Sequence, residues 1–418
     1  MYQVKKLDNI KKDMIKPQTL KGFRDFLPEE TIRRQKAIEK IRKVFELFGF
    51  DPLETPAIEY ADVLLGKYGE EADKLLYLFE DRGGRKVGLR YDQTVPAARV
   101  VAQYPNLPKP FKRYQIQPVW RAENPQKGRF REFLQCDIDI FGTLGLLADS
   151  EVIACVLTVA KALGFPNAKM LINDRSVFID LKPKFIAAID KLEKIGKKNV
   201  VSELITKGMS DQDAQKLVSS FEDKKPTPDV LTVFNYLKNY GLEEFKDFQF
   251  KANLARGLDY YTGTIFELVL PDYQAGSIGG GGRYDNLIGQ FTGNNCPAVG
   301  FAFGFDRIIE AIDQLGLSAS QLTNTKILIT IFSPELKNQS IALALKLRNA
   351  GINTEIYFDS ADRLDKQLKY ADKKGIPYAA IIGPDEAKNK TVTLKNLKER
   401  SQKPFSFDEL TTLLAQST

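Results

Sequence analysis

The sequence predicts an α+β protein with a large, mostly antiparallel sheet, flanking helices and a helical insertion, followed by a C-terminal α/β domain. Within residues 19–322, strand-type runs are widely spaced and mixed with helical periods. Residues from about 175 to 245 are Lys-rich and helical in period, without a strand-like run. From 326 to 418, strands and helices alternate regularly. A length of 418 residues exceeds what one hydrophobic core usually holds, which favours separate domains.

The N-terminal elements follow from local patterns. Residues 1–18 are Lys-rich without apolar periodicity, so we expect an exposed arm. A helix is predicted from Pro28 to a stop at Gly49. Its apolar residues recur at helical spacing, at Ile38, Ile41, Phe45 and Phe48. Residues 50–56 contain two prolines, which exclude a helix and suit an extended edge strand.

The remaining predicted elements are strands and helices in both domains. In the first domain, strand-type runs occupy 86–90, 112–121, 130–142 and 264–270. A helical period covers 150–164. In the C-terminal domain, strands are predicted at 326–332, 354–358 and 378–382. Helices at 336–350 and 360–374 separate them, and each is followed by a glycine. This spacing is typical of a βαβ-type domain with its own core.

Composition excludes several classes of protein. No apolar run reaches membrane-spanning length and the N-terminus lacks a signal-type apolar region, so we expect no membrane segment. Cys136, Cys155 and Cys296 are widely spaced, which indicates reduced thiols and a cytoplasmic protein rather than a disulfide framework or zinc site. The net charge of +7 is compatible with a polyanionic partner but does not require one.

The chain contains no histidine. This excludes Ser–His triads, histidine general bases and histidine-ligated metals. Any chemistry must therefore depend on carboxylates, Lys, Arg, Tyr, or groups that the substrate brings.

The glycine cluster at 279–282, followed by Arg283 and Tyr284, is the most distinctive local signal. It lacks the Lys-Ser/Thr pair of a phosphate-binding loop and the layout of a dinucleotide fold. Two interpretations stay open. The cluster is either a tight turn or the wall of a substrate site, where glycine permits close approach of the backbone.

A charged segment at 121–135 joins two predicted strands through a basic loop. Arg121 and Glu123 lie two apart on one strand, and Phe133 and Gln135 two apart on the next, so each pair shares a face. A solvated hairpin is the alternative. The combination of a basic tip with Phe133 favours a site for a phosphate and a stacked base. Similarly, Arg256 lies close to two tyrosines at 260–261, which suits a small polar substrate with a carboxylate.

These residues identify a family resemblance. Segments 54–56, 121–135 and 300–307 resemble motifs 1, 2 and 3 of class II aminoacyl-tRNA synthetases. Segments 256–263 and 280–285 resemble the two signature blocks of histidyl-tRNA synthetases, and 21–28 and 89–96 also fit that family. The resemblance runs from about residue 19 to the C-terminus. It is specific, because several unrelated blocks fall in the family's order and spacing.

The resemblance implies a site for ATP. Arg121 would bind the α-phosphate, and Glu123 would bind the adenine amino group. Phe133 and Arg307 would sandwich the adenine ring. Mg²⁺ would neutralise the β- and γ-phosphates.

It also implies a site for L-histidine. Asp92, Thr94 and Gln135 would hold the α-ammonium group. Asp139 and Tyr261, with Tyr284 nearby, would recognise the imidazole ring, and Tyr260 would close the pocket. Arg256 is the expected catalytic residue, together with Arg121, because a fixed guanidinium stabilises charge as the histidine carboxylate attacks the α-phosphorus. No protein base is needed for a nucleophile that is already a carboxylate, so the absence of histidine is tolerable.

The same resemblance implies partners. The motif 2 loop would contact the acceptor end of tRNA(His) through Gln126, Lys127, Arg129 and Arg131. Residues 326–418 resemble an anticodon-binding domain, and motif 1 implies a homodimer. Two positions depart from the family. Gln93 replaces an apolar residue, and Leu134 stands where many members carry an aromatic residue or histidine, which we interpret as a packing change.

Three alternative functions fit parts of the sequence. A regulatory paralogue would keep the fold but only bind histidine, and such proteins erode the block at 256–261 and lack the C-terminal domain. A synthetase for proline or threonine is disfavoured by the polarity of Asp139 and Tyr261. A pure RNA-binding module would not need the ATP-site residues.

Overall fold

The computed structural model describes residues 16–68, 73–125, 129–221, 223–257, 260–273, 276–317 and 321–416. The described residues of Met1–Asp25 and Ala37–Leu317 form one compact unit, and those of Phe26–Lys36 and Ser318–Thr418 form a second. Most of the predicted arm at 1–18 lies outside the described residues. The domain limits predicted above remain predictions. No helix in the described ranges is long and apolar enough to cross a membrane.

The helices and strands up to residue 174 begin with a long helix and then alternate. They are α1 (Pro28–Leu47), β1 (Asp51–Pro52), β2 (Ile58–Tyr60), α2 (Ala61–Leu64), β3 (Tyr77–Glu80), β4 (Lys86–Leu89), α3 (Thr94–Gln103), β5 (Phe111–Trp120), β6 (Glu132–Phe141), α4 (Leu147–Leu163) and β7 (Lys169–Asp174). The predicted helix from Pro28 and the strand-type runs up to 142 are therefore confirmed, with ends shifted by one or a few residues.

The predicted helical insertion is also confirmed. It contains a 3₁₀ turn (Arg175–Phe178), α5 (Pro183–Ile189), α6 (Leu192–Thr206), α7 (Asp211–Ser220) and α8 (Pro228–Asn239). Phe178 and Phe221 stack inside it, with ring centroids 5.7 Å apart. The chain then continues through β8 (Phe248–Phe250), β9 (Thr264–Val269), β10 (Gly279–Arg283), α9 (Gly289–Thr292), β11 (Ala298–Gly304) and α10 (Phe305–Gln314).

The large sheet of this unit has the strand order β1-β5-β6-β11-β10-β9-β7-β8 in the described part of the chain. Neighbours from β5 to β7 run antiparallel, and only the edge strands β1 and β8 pair in parallel. This confirms the predicted mostly antiparallel sheet and places the proline-containing segment at its edge. A smaller sheet has the order β2-β4-β3.

The two faces of the sheet differ in polarity because successive residues of a strand point to opposite sides. On β6, Cys136, Ile138 and Ile140 enter the main hydrophobic core, with residues of α1, α4 and α10. Gln135, Asp137 and Asp139 occupy the alternate positions and are buried on the other side. The sheet therefore presents a polar face in its centre, and this face positions the site described below.

The second unit contains β12 (Ile327–Ile329), a 3₁₀ turn (Pro334–Leu336), α11 (Lys337–Asn349), β13 (Thr354–Ile356), α12 (Leu364–Lys374), β14 (Tyr378–Ile381), α13 (Pro384–Asn389), β15 (Thr391–Asn396), β16 (Ser401–Ser406) and α14 (Phe407–Gln416). Its described strands have the order β13-β12-β14-β15-β16. The first three are parallel, as the βαβ prediction requires, and β15 and β16 add an antiparallel hairpin.

Candidate active site

A cavity of ≈ 290 Å³ opens on the polar face of the large sheet. All the side chains predicted to bind ATP or histidine line it: Asp92, Thr94, Arg121, Glu123, Phe133, Gln135, Asp139, Arg256, Tyr260, Tyr261, Tyr284 and Arg307. These residues come from β6 and α10, the segment after β5, the start of α3, and the segments that flank β9 and β10. The fold thus brings together residues as far apart in the sequence as Asp92 and Arg307.

Asp139 lies at the floor of the cavity. Its Oδ1 accepts a hydrogen bond from the Tyr284 hydroxyl. Its Oδ2 lies 2.5 Å from Nη2 of Arg113, a buried residue directly opposite on β5. Burial raises the pKa of Asp139 to about 6, against the opposing effects of Arg113 and Tyr284. Near neutral pH the group is therefore a carboxylate, which can only accept hydrogen bonds.

A second buried carboxylate lies at the start of α3. Oδ1 of Asp92 accepts hydrogen bonds from the Val95 amide at 3.0 Å and from the Tyr68 hydroxyl at 3.2 Å. Burial raises the pKa of Asp92. Its Oδ2 has no hydrogen-bond partner in the described residues. Thr94 is the first residue of α3, so both side chains of the Asp-x-Thr block reach the cavity from the start of one helix.

Gln93, the residue between them, does not line the cavity. Its Nε2 donates to the main-chain oxygen of Gln117 at 2.6 Å and to that of Gln135 at 3.2 Å. The amide thus ties the start of α3 to β5 and β6. This contact gives a structural reason for the polar residue at a position where the family usually has an apolar one.

Three tyrosines form one wall of the cavity. The ring centroids of Tyr260 and Tyr261 are 4.8 Å apart, and those of Tyr260 and Tyr284 are 5.6 Å apart. Burial raises the pKa of Tyr260 and Tyr284 well above the ordinary value and also raises that of Tyr261. The wall therefore offers neutral hydroxyl groups and flat apolar surfaces.

Arg256 lines the cavity and lies against Gly280 of β10. Its Nη1 lies 3.5 Å from Oε1 of Glu267 on β9, which also accepts a hydrogen bond from the Ser277 hydroxyl. A Cβ atom on Gly280 would lie 2.2 Å from the same Nη1. The guanidinium therefore occupies space that any other residue at position 280 would fill.

The glycine cluster forms β10, in the interior of the sheet, so the interpretation as a tight turn is wrong. A Cβ atom on Gly281 would lie 2.0 Å from the main-chain oxygen of Gly300. A Cβ atom on Gly300 would lie 1.8 Å from Oδ1 of Asp139. Gly280 on β10 and Gly300 on β11 both line the cavity, so the absence of side chains there makes room for Arg256 and for the Asp139 carboxylate.

The predicted ATP residues lie together at another part of the cavity. The Arg121 guanidinium lies 4.2 Å from the Tyr91 ring centroid and 5.1 Å from the Phe133 ring centroid. Nη1 of Arg307 donates to the main-chain oxygen of Ser277 at 2.7 Å. Rings and main chain therefore fix the positions of both guanidinium groups while part of each side chain faces the cavity.

The loop predicted to contact tRNA is only partly described. Gln126 and Lys127 lie outside the described residues. Arg129 lines the cavity, and its guanidinium is 3.7 Å from Glu123. Arg131 is not part of the lining, because its Nε donates to the Glu123 main-chain oxygen at 3.0 Å and its main chain donates to that of Gly22.

The structure also brings in residues that the sequence prediction missed. Tyr68, Arg113, Asp137 and Glu267 contact or adjoin predicted site residues but belong to no predicted motif. Strand alternation was the available signal for Arg113, since it shares a face with Gln115 and Gln117 on β5. No group of three or more His, Cys, Asp or Glu side chains able to hold a metal occurs in the described ranges.

Comparison with known proteins gives a consistent result. Residues 22–308 match the family model for histidyl-tRNA synthetase, and residues 326–417 match that for an anticodon-binding domain. The histidine–tRNA ligase of Cytophaga hutchinsonii is 40% identical over 450 aligned positions, covering 95% of this chain and 99% of that one. The histidine–tRNA ligase of Aeropyrum pernix is 39% identical, covering 91% and 93%. The crystal structure of histidyl-tRNA synthetase from Nostoc sp. PCC 7120 superposes with a TM-score of 0.83 at 31% identity, covering 97% of this chain and 100% of that one.

Proposed function

The chain belongs to the histidyl-tRNA synthetase family, and from that premise we propose the roles that its own residues take in the ligase reaction. The enzyme is an aminoacyl-tRNA ligase that activates L-histidine with ATP and transfers the histidyl group to tRNA(His). Curated relatives that match the whole chain are ligases, so the regulatory paralogue is not favoured.

In the first step, an oxygen of the histidine carboxylate attacks the α-phosphorus of ATP. The bond from the α-phosphorus to the bridging oxygen breaks, and pyrophosphate leaves with its electron pair. In the second step, a hydroxyl at the 3′ end of the tRNA attacks the activated carbonyl, and AMP leaves. Negative charge increases on the phosphate oxygens during the first step, so fixed cations next to them stabilise the transition state.

Arg256 and Arg121 are the cations that we assign to this charge. Both guanidinium groups line the cavity, and each is held by contacts outside it, with Glu267 for Arg256 and Tyr91 for Arg121. A cation that is already oriented needs little reorganisation during the reaction. We assign Glu123, Phe133 and Arg307 to the adenine base, because a flat ring, a guanidinium and a carboxylate acceptor suit it.

The histidine substrate fits the deeper part of the cavity. The unpartnered Oδ2 of Asp92 supports its assignment to the α-ammonium group, with Thr94 and Gln135 beside it. We assign the imidazole ring to Asp139 and Tyr261, with Tyr284 fixing Asp139 from the side and Tyr260 as part of the wall. Such a buried acceptor strongly rejects analogues without the matching N–H group.

We propose Mg²⁺ as the divalent ion that accompanies ATP. The described residues contain no group of three or more His, Cys, Asp or Glu side chains able to hold a metal, so the ion would be held mainly by the nucleotide phosphates. Its contribution would be to neutralise the charge of the phosphates.

The C-terminal unit is proposed to bind the anticodon of tRNA(His). Residues 326–417 match an anticodon-binding domain. Phe358, which follows β13, is 91% exposed, and exposed aromatic side chains are suitable surfaces for stacking an unpaired base. The basic residues of the motif 2 loop, including Arg129, are proposed to contact the acceptor end.

We further propose a homodimer that works in the cytoplasm. A groove beside motif 1 is lined by Glu54, Pro56, Ile58, Tyr60 and Tyr104, among others. Ile58 is 49% exposed and Tyr60 is 56% exposed, and such an apolar patch on a folded unit favours an interface between subunits.

The single observation that carries these assignments is the convergence of the complete predicted ATP and histidine sets on one cavity. The test is aminoacylation of tRNA by the purified full chain with labelled histidine. We expect histidyl-tRNA to form only with ATP and a divalent cation present. Binding of histidine without attachment to tRNA would contradict the proposal and favour the regulatory paralogue.

A further inference from the structure

A buried ion pair lies beneath the part of the cavity assigned to the imidazole ring. Arg113 on β5 is 0% exposed and is the register partner of Asp139 on β6. Its Nη2 lies 2.5 Å from Oδ2 of Asp139. Nη1 of Arg113 also donates to Oε1 of Gln115 at 3.3 Å, and Nη2 donates to the Gln93 main-chain oxygen at 3.4 Å. The guanidinium does not line the cavity, so it can act on a ligand only through Asp139.

The contacts of Asp139 leave its carboxylate able to accept a hydrogen bond from a ligand in the cavity. Oδ1 accepts from the Tyr284 hydroxyl. Within the described residues, Oδ2 has the ionic contact with Arg113 but no hydrogen bond. A carboxylate held on both oxygens has a fixed plane, and it still has lone pairs for a donor from the cavity. A ring N–H is a donor of that kind.

We propose that Arg113 is a positioning residue for recognition of the substrate's imidazole ring: it keeps Asp139 ionised and correctly oriented to accept a hydrogen bond from a ring N–H. This inference rests on the role proposed for Asp139. A buried carboxylate without a cation would take up a proton, and the protonated group would offer a donor where the ring needs an acceptor.

The other charged and titratable groups around Asp139 support this assignment. Asp137 lies on the same strand, Asp92 before α3, and Tyr284 after β10. Burial raises the pKa of Asp137 well above its ordinary value, which disfavours the ionised form of that carboxyl beside Asp139. Burial raises the pKa of Asp139 only to about 6, because Arg113 opposes the shift.

This arrangement predicts a pH dependence with a definite sign. Asp139 accepts from the ring only when ionised, so recognition of histidine is lost as the pH falls through about 6. Removal of the Arg113 charge raises the pKa of Asp139 further, by about 1 unit or more. The acid limb of kcat/KM for histidine then moves to higher pH. Free histidine also titrates in this range, but it does so equally with every variant, so the difference between variants reports on the enzyme.

The test compares Arg113→Met with Arg90→Met in ATP–pyrophosphate exchange between pH 5 and 9 (roughly the range in which these groups titrate). Arg90 is a matched control, since it is 2% exposed and donates to the Thr55 main-chain oxygen and to Gln117 rather than to Asp139. For Arg113→Met we expect KM for histidine to rise about 10-fold or more and KM for ATP to stay within about 2-fold. We expect its acid limb to move up by about 1 unit. We expect Arg90→Met to lower the melting temperature without moving the acid limb of kcat/KM for histidine.

An unchanged histidine KM and limb in Arg113→Met would overturn the inference, and so would an equal shift in Arg90→Met. If the methionine variant does not fold, Arg113→Lys tests the proposed positioning role instead. Lysine keeps the charge but not the geometry, so the limb should stay while the histidine KM rises, and an unchanged KM would overturn the proposed positioning. Failure of the proposed function is distinguishable, because the unmodified chain would then show no histidine-dependent exchange. An unchanged histidine KM in Asp139→Asn would remove the role of Asp139 and, with it, that of Arg113.

Discussion

Arg256 is the residue on which the proposed chemistry depends most. It contacts Glu267 at 3.5 Å behind the cavity, while Gly280 leaves its guanidinium free to lie against the strand. Glu267 gives this cation a defined position, and the cavity gives it access to a phosphate. The same chain has no histidine, and the mechanism requires none, because the attacking carboxylate of the substrate is already ionised.

Substitution of Arg256 tests the catalytic assignment. We expect Arg256→Ala to lower the rate of histidine-dependent ATP–pyrophosphate exchange by about 10²-fold or more, because a fixed cation is lost from the transition state. The melting temperature should change by only a few degrees, since the side chain is held by a 3.5 Å ion pair with Glu267 and a hydrogen bond with Tyr261. As a control, Arg348→Ala in the C-terminal unit should leave exchange unchanged. Near-normal exchange by Arg256→Ala would exclude the assigned role.

The residues that line the site were predictable from the sequence, but the residues that hold them in position were not. Asp139, Tyr261 and Arg256 lie in recognisable blocks. Arg113 and Tyr68 lie in ordinary-looking segments and contact the site only because of strand register and the packing at the start of α3. Such contacts depend on which strands become neighbours, and a local pattern carries no information about that.

At the level of elements, β10 determines the shape of the cavity. Its four glycines have no side chains, so the strand shows neither hydrophobic alternation nor β-branched residues, and sequence patterns gave it no strand signal. β16 was missed for a related reason, because it is polar, largely exposed and contains Pro404. β15 was missed although Val392 and Leu394 alternate into the core of the second unit. In contrast, β5 and β6 contain alternating apolar and polar residues and β9 is strongly apolar, and all three were predicted nearly to their ends.

Two neighbouring glycines of β10 should respond differently to alanine. In Gly280→Ala, the new methyl group meets the mobile end of Arg256 at 2.2 Å, so the arginine is displaced and the strand is kept. We expect exchange activity to fall about as far as in Arg256→Ala, with a melting temperature close to that of the parent chain. Circular dichroism melts and exchange assays on the same preparations measure both effects.

Gly281→Ala is the companion variant. Here the methyl group meets the Gly300 main-chain oxygen at 2.0 Å, and backbone cannot move aside without disturbing the sheet. We expect a loss of stability of about 1–3 kcal/mol or more. If Gly280→Ala were as unstable as Gly281→Ala, or were fully active, the proposed placement of Arg256 would be incorrect.

For the whole molecule, the exposed side chains of Ile58 and Tyr60 in the groove beside motif 1 favour self-association. The double variant Ile58→Glu/Tyr60→Glu places two charges on exposed positions of β2, so it should dissociate a homodimer without damage to the fold. Sedimentation velocity on the full chain measures the change, with Leu345→Glu on an exposed position of α11 as the control. A chain that sediments as a monomer before substitution would contradict the proposed dimer.

We propose that this cavity activates histidine and no other amino acid. The most direct test is ATP–pyrophosphate exchange by the purified full chain, with each amino acid supplied singly. We expect exchange with histidine alone, at a rate that depends on a divalent cation and falls as the pH drops through about 6. Exchange with a different amino acid would contradict the assignment of Asp139 and Tyr261 to the imidazole ring. Absence of exchange with every amino acid, despite measurable histidine binding, would contradict the enzymatic role.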